Sequence, residues 1–131
     1  MTHTLTLVIY TAILTFVALM AASLIRAKGW TVPGMVIAMG NRDNVPAPNA
    51  FAARADRAAK NTVEGFILFT AIALVAHASG ITSPRIAQGA EIFFWSRVLY
   101  LPIYYVGIAY IRTVVWAAGM VGLAMMVSVM V

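Results

Sequence analysis

The sequence contains no cysteine and very little charge. Of its 131 residues, 10% are charged and 63% are hydrophobic, whereas a soluble domain has roughly 25% charged and 45–50% apolar residues. The absence of thiols excludes a disulfide scaffold and a cysteine-based zinc or iron–sulfur site. A chain this apolar is not disordered, and it has too little polar surface to cover a water-facing globule. The composition therefore predicts an integral membrane protein.

Charged residues are absent from three long segments, 1–25, 65–84 and 113–131. A further apolar segment, about 86–111, contains only Glu91 and Arg97. Because a membrane-spanning helix needs roughly 20 apolar residues, the pattern predicts an all-α protein whose residues 1–131 form one four-helix transmembrane domain. We expect the helices at about 5–25, 52–79, 86–106 and 110–130, with a cytoplasmic loop over about 26–51.

The positive charges predict the orientation. The net charge is +5, and the first loop and the start of the second helix hold six of the nine basic residues: Arg26, Lys28, Arg42, Arg54, Arg57 and Lys60. By the positive-inside rule this region is cytoplasmic and both termini are outside. The prolines and glycines of the loop predict irregular structure at the headgroup level, with Trp30 as an interfacial anchor. Basic residues scattered between apolar segments do not form a nucleic-acid-binding patch, so no nucleic-acid partner is expected.

Two groups of polar residues lie inside the predicted spans. The first group is Arg57, Asn61 and Glu64, with spacings of four and three residues. The second group is Arg97, Tyr100 and Tyr104, with spacings of three and four residues. At these spacings each group occupies one side of its helix. Both groups fall in the cytoplasmic half of the bundle, and Arg112 joins them from the start of the last helix. Ionisable residues within spans are costly and often functional.

These side chains would form a cationic pocket that opens to the cytoplasm. Arginine binds carboxylates through two parallel hydrogen bonds, and glutamate accepts an ammonium group, so the set suits a small polyanion that also carries an amine. A structural role is the alternative, in which Arg97 pairs with Glu64 and Asn61 bonds a neighbouring helix.

No second histidine or carboxylate stands at a metal-ligand spacing from His77, so no metal is expected. Ala118 and Gly122 form a small-xxx-small pair that would allow close helix packing.

The polar residues also carry a family resemblance. Arg54-Ala-Asp-Arg57-Ala-Ala-Lys-Asn61-Thr-Val-Glu64 resembles the R-x-x-R-A-x-x-N-x-x-E signature of the membrane-associated proteins in eicosanoid and glutathione metabolism, the MAPEG family. A second stretch, Arg97-Val-Leu-Tyr100-Leu-Pro-Ile-Tyr104 followed by Arg112, resembles the second family signature. The preceding Gly40-Asn-Arg-Asp43 is similar to the short bacterial branch, which implies a location in a bacterial inner membrane.

The resemblance implies a homotrimer that binds glutathione, as a co-substrate, between neighbouring subunits. The residues that match the glutathione-binding positions of the family are Arg57, Asn61, Glu64, Tyr100, Tyr104 and Arg112, to which the charge pattern adds Arg97. Arg26 resembles a basic residue that reaches the site from the adjacent subunit. Arg112 matches the residue proposed to stabilise the thiolate, and Tyr104 could share that role. Two positions depart from the family: Gly65 replaces a frequent aromatic residue, and Ile67 replaces a proline.

The leading hypothesis is a glutathione-dependent membrane enzyme. It would transfer glutathione to a lipophilic electrophile or reduce a peroxide, as microsomal-type glutathione transferases and peroxidases do. The rival hypothesis is a non-catalytic protein in contact with membrane lipids: a scaffold, a lipid-binding protein or an accessory subunit of a membrane complex. A small multidrug exporter is less favoured, because such proteins usually carry an essential carboxylate in the first span, and the first span here has none.

Overall fold

The computed structural model describes residues 1–131 and consists of α-helices without strands. It has five helices where four were expected, and they are α1 (His3–Ala27), α2 (Val32–Met39), α3 (Ala50–Ala78), α4 (Pro84–Val106) and α5 (Ala109–Val127). The bounds of the four long helices differ from the expected ones by at most three residues. The fifth helix, α2, is short and lies in the predicted loop.

Three of the helices, α1, α3 and α5, are long and apolar enough to cross a membrane. The 23 residues of α4 also suffice in length, but α4 contains Glu91 and Arg97, which lower its hydropathy, and it is not among the three. It packs against α1, α3 and α5. The crossing of the membrane by α4, and with it the four-span bundle, stays a prediction.

Helix α2 corrects the expectation of an irregular loop. The Thr31 hydroxyl oxygen accepts a hydrogen bond from the Gly34 N–H at 3.0 Å, which caps the first turn. Pro33 lies in that first turn, where its missing N–H costs nothing because the helix has no acceptor for it there. The sequence predicts irregular structure from Pro33 and Gly34, but at these positions the two residues lie in the first turn of a helix.

Small residues bring the C-terminal half of α1 close to the N-terminal part of α3. Ala18 and Ala22 of α1 pack against Ala55, Ala58 and Ala59 of α3. The same cluster includes the buried rings of Tyr100 and Tyr104. Since alanine loses no side-chain rotamer freedom on burial, this interface is tight at little entropic cost, and it fixes the side of α3 that carries the polar residues.

Glycines bring α4 and α5 into backbone contact. A Cβ built on Gly89 would lie 2.4 Å from the Gly122 carbonyl oxygen, and one on Gly119 would lie 2.4 Å from the Ser96 Oγ. Ala118, by contrast, is exposed. The close contact therefore uses Gly119 and Gly122 rather than the expected pair of Ala118 and Gly122. This packing sets the position of Arg112 relative to the tyrosines of α4.

Candidate functional site

Three helices line a small open pocket, here called the tyrosine pocket. Its volume is about 190 Å³, and it is lined by Asn61 of α3, by Tyr100 and Tyr104 of α4, and by Arg112, Thr113 and Trp116 of α5. Four of these six residues were predicted from the sequence to belong to one site. The helices carry them to one place from positions as far apart in sequence as 61 and 116.

Tyr104 lies between two arginines at this pocket. The Arg57 Nε donates a hydrogen bond to the Tyr104 hydroxyl oxygen at 3.0 Å. The Arg112 guanidinium carbon stands 4.5 Å from the centre of the Tyr104 ring, within the range of a cation–π interaction. The ring of Tyr100 meets that of Tyr104 edge-on, with 5.4 Å between centroids. The phenol is thus held in place by neighbours on α3, α4 and α5.

Arg97 lies behind the pocket and is completely buried, with 0% of its surface exposed. Its Nη1 donates to the Asn61 Oδ1 at 2.7 Å, and its guanidinium carbon lies 4.6 Å from the Tyr100 ring centre. Its Nε and Nη2 have no hydrogen-bond partner. No ion pair joins Arg97 to Glu64, so the pairing expected for a purely structural role is wrong. The other bond expected for that role, from Asn61 to a neighbouring helix, is present.

The bond from Arg97 sets the direction of the Asn61 amide. Because the Oδ1 accepts from Arg97, the Nδ2 of Asn61 is free to donate to a group in the tyrosine pocket, which Asn61 lines. Gly65 provides the room for this arrangement. A Cβ at position 65 would lie 3.5 Å from the Arg97 Nη1 and 3.3 Å from the Phe93 Cζ. A large side chain at 65 would therefore collide with the guanidinium.

Two predicted site residues lie apart from the tyrosine pocket in a single chain. Glu64 is exposed and lines a groove of about 490 Å³ between α1 and α3, together with Asp56 and Lys60. The Arg26 Nε is 3.7 Å from an Asp56 carboxylate oxygen, and the Arg26 guanidinium also donates to the Pro46 carbonyl. The chain therefore does not bring Glu64 and Arg26 to the pocket by itself.

Two pocket residues were not predicted from the sequence. Thr113 follows Arg112, and its hydroxyl donates to the Ala109 carbonyl at 3.2 Å. Trp116 follows Arg112 by four residues, which places both side chains on one side of α5. That spacing was the available signal. It was missed because an aromatic residue in an apolar span is commonly a packing or lipid-facing residue.

A second cavity, of about 370 Å³, lies at the opposite end of the helices. His3 and His77 are among its lining residues. The His3 Nε2 contacts the Glu91 carboxylate, whose other oxygen accepts from the Trp95 Nε1 at 3.0 Å. No three histidine, aspartate or glutamate side chains converge so as to hold a metal ion. Glu91 of α4 thus connects that helix to α1 through His3.

The fold and the pocket define an all-helical integral membrane protein with a cationic, tyrosine-lined site between its helices. The MAPEG family model matches residues 3–131, essentially the whole chain, and the chain belongs to that family. This confirms the resemblance of the two signatures. No curated protein matches the chain, and no solved structure does so either.

Proposed function

We propose that the protein is a glutathione-dependent membrane enzyme. It transfers glutathione to a lipophilic electrophile or uses it to reduce a lipophilic peroxide. The observation that carries this proposal is the position of Tyr104 in the pocket, between the Arg57 hydrogen bond and the Arg112 guanidinium. Two fixed cations and a phenol suit the recognition of an anionic thiol compound, and the family membership agrees with that choice of ligand.

The donors and acceptors match the groups of glutathione. The tripeptide has two carboxylates, one ammonium group and two internal amides. Arg57 and Arg112 can bind carboxylate or thiolate through charge-assisted hydrogen bonds. The Asn61 Nδ2 can donate to an amide carbonyl, and the hydroxyls of Tyr100 and Tyr104 can donate or accept. Glu64 supplies the carboxylate that would accept the ammonium.

A single chain offers only part of such a site. The tyrosine pocket, at about 190 Å³, is smaller than the roughly 300–1,000 Å³ of ordinary ligand pockets. Glu64 and Arg26 lie outside it. We therefore propose a homotrimer of four-span subunits in a bacterial inner membrane, with glutathione between neighbours. Arg26 of an adjacent copy completes the site, which opens to the cytoplasm.

The chemistry assigned to the site is activation of the thiol. A thiol with a pKa near 8.5 is only a few per cent ionised at neutral pH, and the thiolate is the nucleophile. Arg112 stabilises the thiolate by its charge, and the Tyr104 hydroxyl donates a hydrogen bond to the sulfur. In transfer, the sulfur forms a bond to an electrophilic carbon, and the leaving group departs with its electron pair. In peroxide reduction, a glutathione thiolate attacks one peroxide oxygen and breaks the O–O bond, which releases an alkoxide that takes up a proton to become the alcohol and leaves a sulfenic acid on the sulfur. A second glutathione thiol then forms the disulfide and releases water, so that two glutathione molecules supply the two electrons.

Glutathione binding by the intact protein in a mild detergent tests the proposal, measured by calorimetry. We expect the wild-type protein to bind and Tyr104→Phe to bind more weakly, because the phenol oxygen no longer accepts from Arg57. Tyr110→Phe is the matched control, since Tyr110 is 89% exposed and lies outside the pocket. A correctly folded wild-type protein that binds no glutathione would support the scaffold, lipid-binding or accessory-subunit alternative instead.

A further inference from the structure

Helix α2 is held against the end of α1 by backbone contact. Lys28 ends α1 in the left-handed conformation, with φ of 53°, so the chain turns sharply there. A Cβ built on Gly34 would lie 2.0 Å from the Lys28 carbonyl oxygen and 2.4 Å from that of Ala27. Only glycine allows the two helices to approach so closely. The position of α2 is therefore fixed relative to a candidate membrane span, from which only four residues separate it.

The outer side of α2 is apolar and is not covered by any other helix of the chain. Val32, Val36 and Met39, at i, i+4 and i+7, are 80%, 69% and 81% exposed, and Trp30 just before the helix is 70% exposed. No residue of Val32–Met39 is charged. Among the other helices, α2 packs only on α1. These side chains form the α2 stripe: Trp30, Val32, Val36 and Met39.

Positive charges flank the α2 stripe. Lys28 precedes it and Arg42 follows it, and residues 26–60 contain six basic side chains but only two acidic ones, Asp43 and Asp56. Apolar side chains with basic residues beside them suit the surface of a leaflet that contains anionic lipids, since the acyl region takes the apolar groups and the headgroups take the charges. A second copy of the chain would instead place like charges opposite each other.

We propose that α2 is an interfacial anchor that binds the anionic phospholipids of the leaflet at which α1 ends. The α2 stripe enters the boundary between headgroups and acyl chains, and Lys28 and Arg42 contact lipid phosphates. Because α2 is fixed to α1 through Gly34, lipid binding also fixes the depth of α1 in the bilayer. This inference does not depend on glutathione binding.

The absence of cysteine makes a direct test possible. Val36→Cys, in the full-length protein, carries one spin label, and the protein is placed in nanodiscs of phosphatidylcholine alone or mixed with equal parts of phosphatidylglycerol. Power saturation then compares access of the label to oxygen, which partitions into lipid, with access to a water-soluble nickel complex. Asn41→Cys, one residue beyond Gly40 and exposed, is the matched control.

We expect the oxygen-to-nickel accessibility ratio at position 36 to exceed that at position 41 severalfold. We also expect the ratio at 36 to rise further with phosphatidylglycerol, and this rise to be lost when Lys28→Gln and Arg42→Gln are added. Equal nickel access at the two positions would overturn the proposal. Strong spin–spin broadening between labels at position 36 would overturn it too, because labels in such close contact would show that a second copy covers the stripe; weaker coupling over the longer distances of the proposed trimer would not. A ratio at 36 that does not respond to phosphatidylglycerol would overturn the role of the anionic lipid.

Discussion

At Arg97 the chain buries a positive charge with only one hydrogen-bond acceptor. Two of its N–H groups have no partner, and the guanidinium instead faces the rings of Tyr100 and Phe93. Buried donors without acceptors cost stability, more so when they are charged, although ring faces recover part of the cost. Since ionisable residues inside membrane proteins are commonly functional, we interpret Arg97 as a positioning residue that orients Asn61.

Substitutions at Gly65 test that interpretation. Gly65→Leu would force the guanidinium away from Asn61, whereas Gly65→Ala needs only a shift of a few tenths of an ångström at Phe93, because its Cβ would be in ordinary contact with Arg97. Losing a hydrogen bond to a charged group costs about 1.5–3 kcal/mol, which corresponds to roughly a 10- to 100-fold weaker Kd. We expect calorimetry to show a Kd for glutathione that is weaker by this factor in Gly65→Leu, and a much smaller change in Gly65→Ala. Equal affinities in both variants would show that Arg97 does not act on the site.

The sequence predicted which residue types form the site but not how they pair. Arg57, Asn61, Tyr100, Tyr104 and Arg112 could be grouped because helical spacing fixes which side of a helix each residue occupies. The rotation of α3 against α4 does not follow from spacing within either helix. The Arg97–Asn61 bond, formed across 36 residues, and the separation of Glu64 from the pocket therefore required the structure.

At the scale of elements, the crossing of α4 and α5 depends on two glycines in backbone contact. A side chain at Gly122 would meet the Gly89 carbonyl oxygen at 2.6 Å, and this oxygen cannot move without displacing α4. Overpacking a well-packed interface costs about 1–3 kcal/mol or more. We expect Gly122→Val to lower the midpoint of thermal unfolding in detergent and to weaken glutathione binding, because α5 carries Arg112.

Ala118→Val is the matched control for that experiment. It adds a larger side chain to the same helix, one turn away, at an exposed position. We expect its unfolding midpoint to stay close to that of the wild type. Equal destabilisation by both substitutions would mean that the backbone contact between α4 and α5 has no special importance.

The long helices were predictable because the apolar segments are long, whereas the residues that end these helices were identified only in the structure. Asn49, for example, caps α3 by accepting from the Ala52 N–H at 2.7 Å, and Gly107 ends α4 with φ of 91°. Helix α2 was not predicted, since its eight residues are too few to show a periodicity. Whether Ala118 or Gly119 contacts α4 depends on the rotation of α5 about its axis. The sequence does not determine this rotation, because the two small residues are adjacent.

At the scale of the whole molecule, the incomplete pocket and the polar side chains of α3 predict an assembly. Exposed polar groups such as Glu64 and Arg57 are costly next to lipid and need protein or water around them. We expect native mass spectrometry from a mild detergent to give a trimer. The substitution Glu64→Gln should weaken glutathione binding without dissociating the trimer. Monomers alone, across several mild detergents, would contradict the assembly.

The distribution of basic residues predicts the orientation in the membrane. Six of the nine lie between Arg26 and Lys60, and the positive-inside rule places them in the cytoplasm. With four spans, a reporter fused after Val131 should then give an external signal, whereas one inserted after Asn44 should give a cytoplasmic signal. A cytoplasmic signal from both fusions would exclude three crossings between these positions, and with them the four-span arrangement.

In the proposed function, Arg112 activates a glutathione thiol in the tyrosine pocket. A guanidinium within about 4–6 Å lowers the pKa of a neighbouring acid by about 1–3, so the bound thiol should lose its proton below the pKa of free glutathione. The most direct measurement is the ultraviolet absorbance of the bound thiolate, titrated against pH. We predict a thiolate signal near neutral pH in the wild-type protein and in Arg112→Lys, which keeps the charge. In Arg112→Ala we predict glutathione still bound but the thiolate signal moved to higher pH. An unchanged titration in Arg112→Ala would show that Arg112 does not activate the thiol.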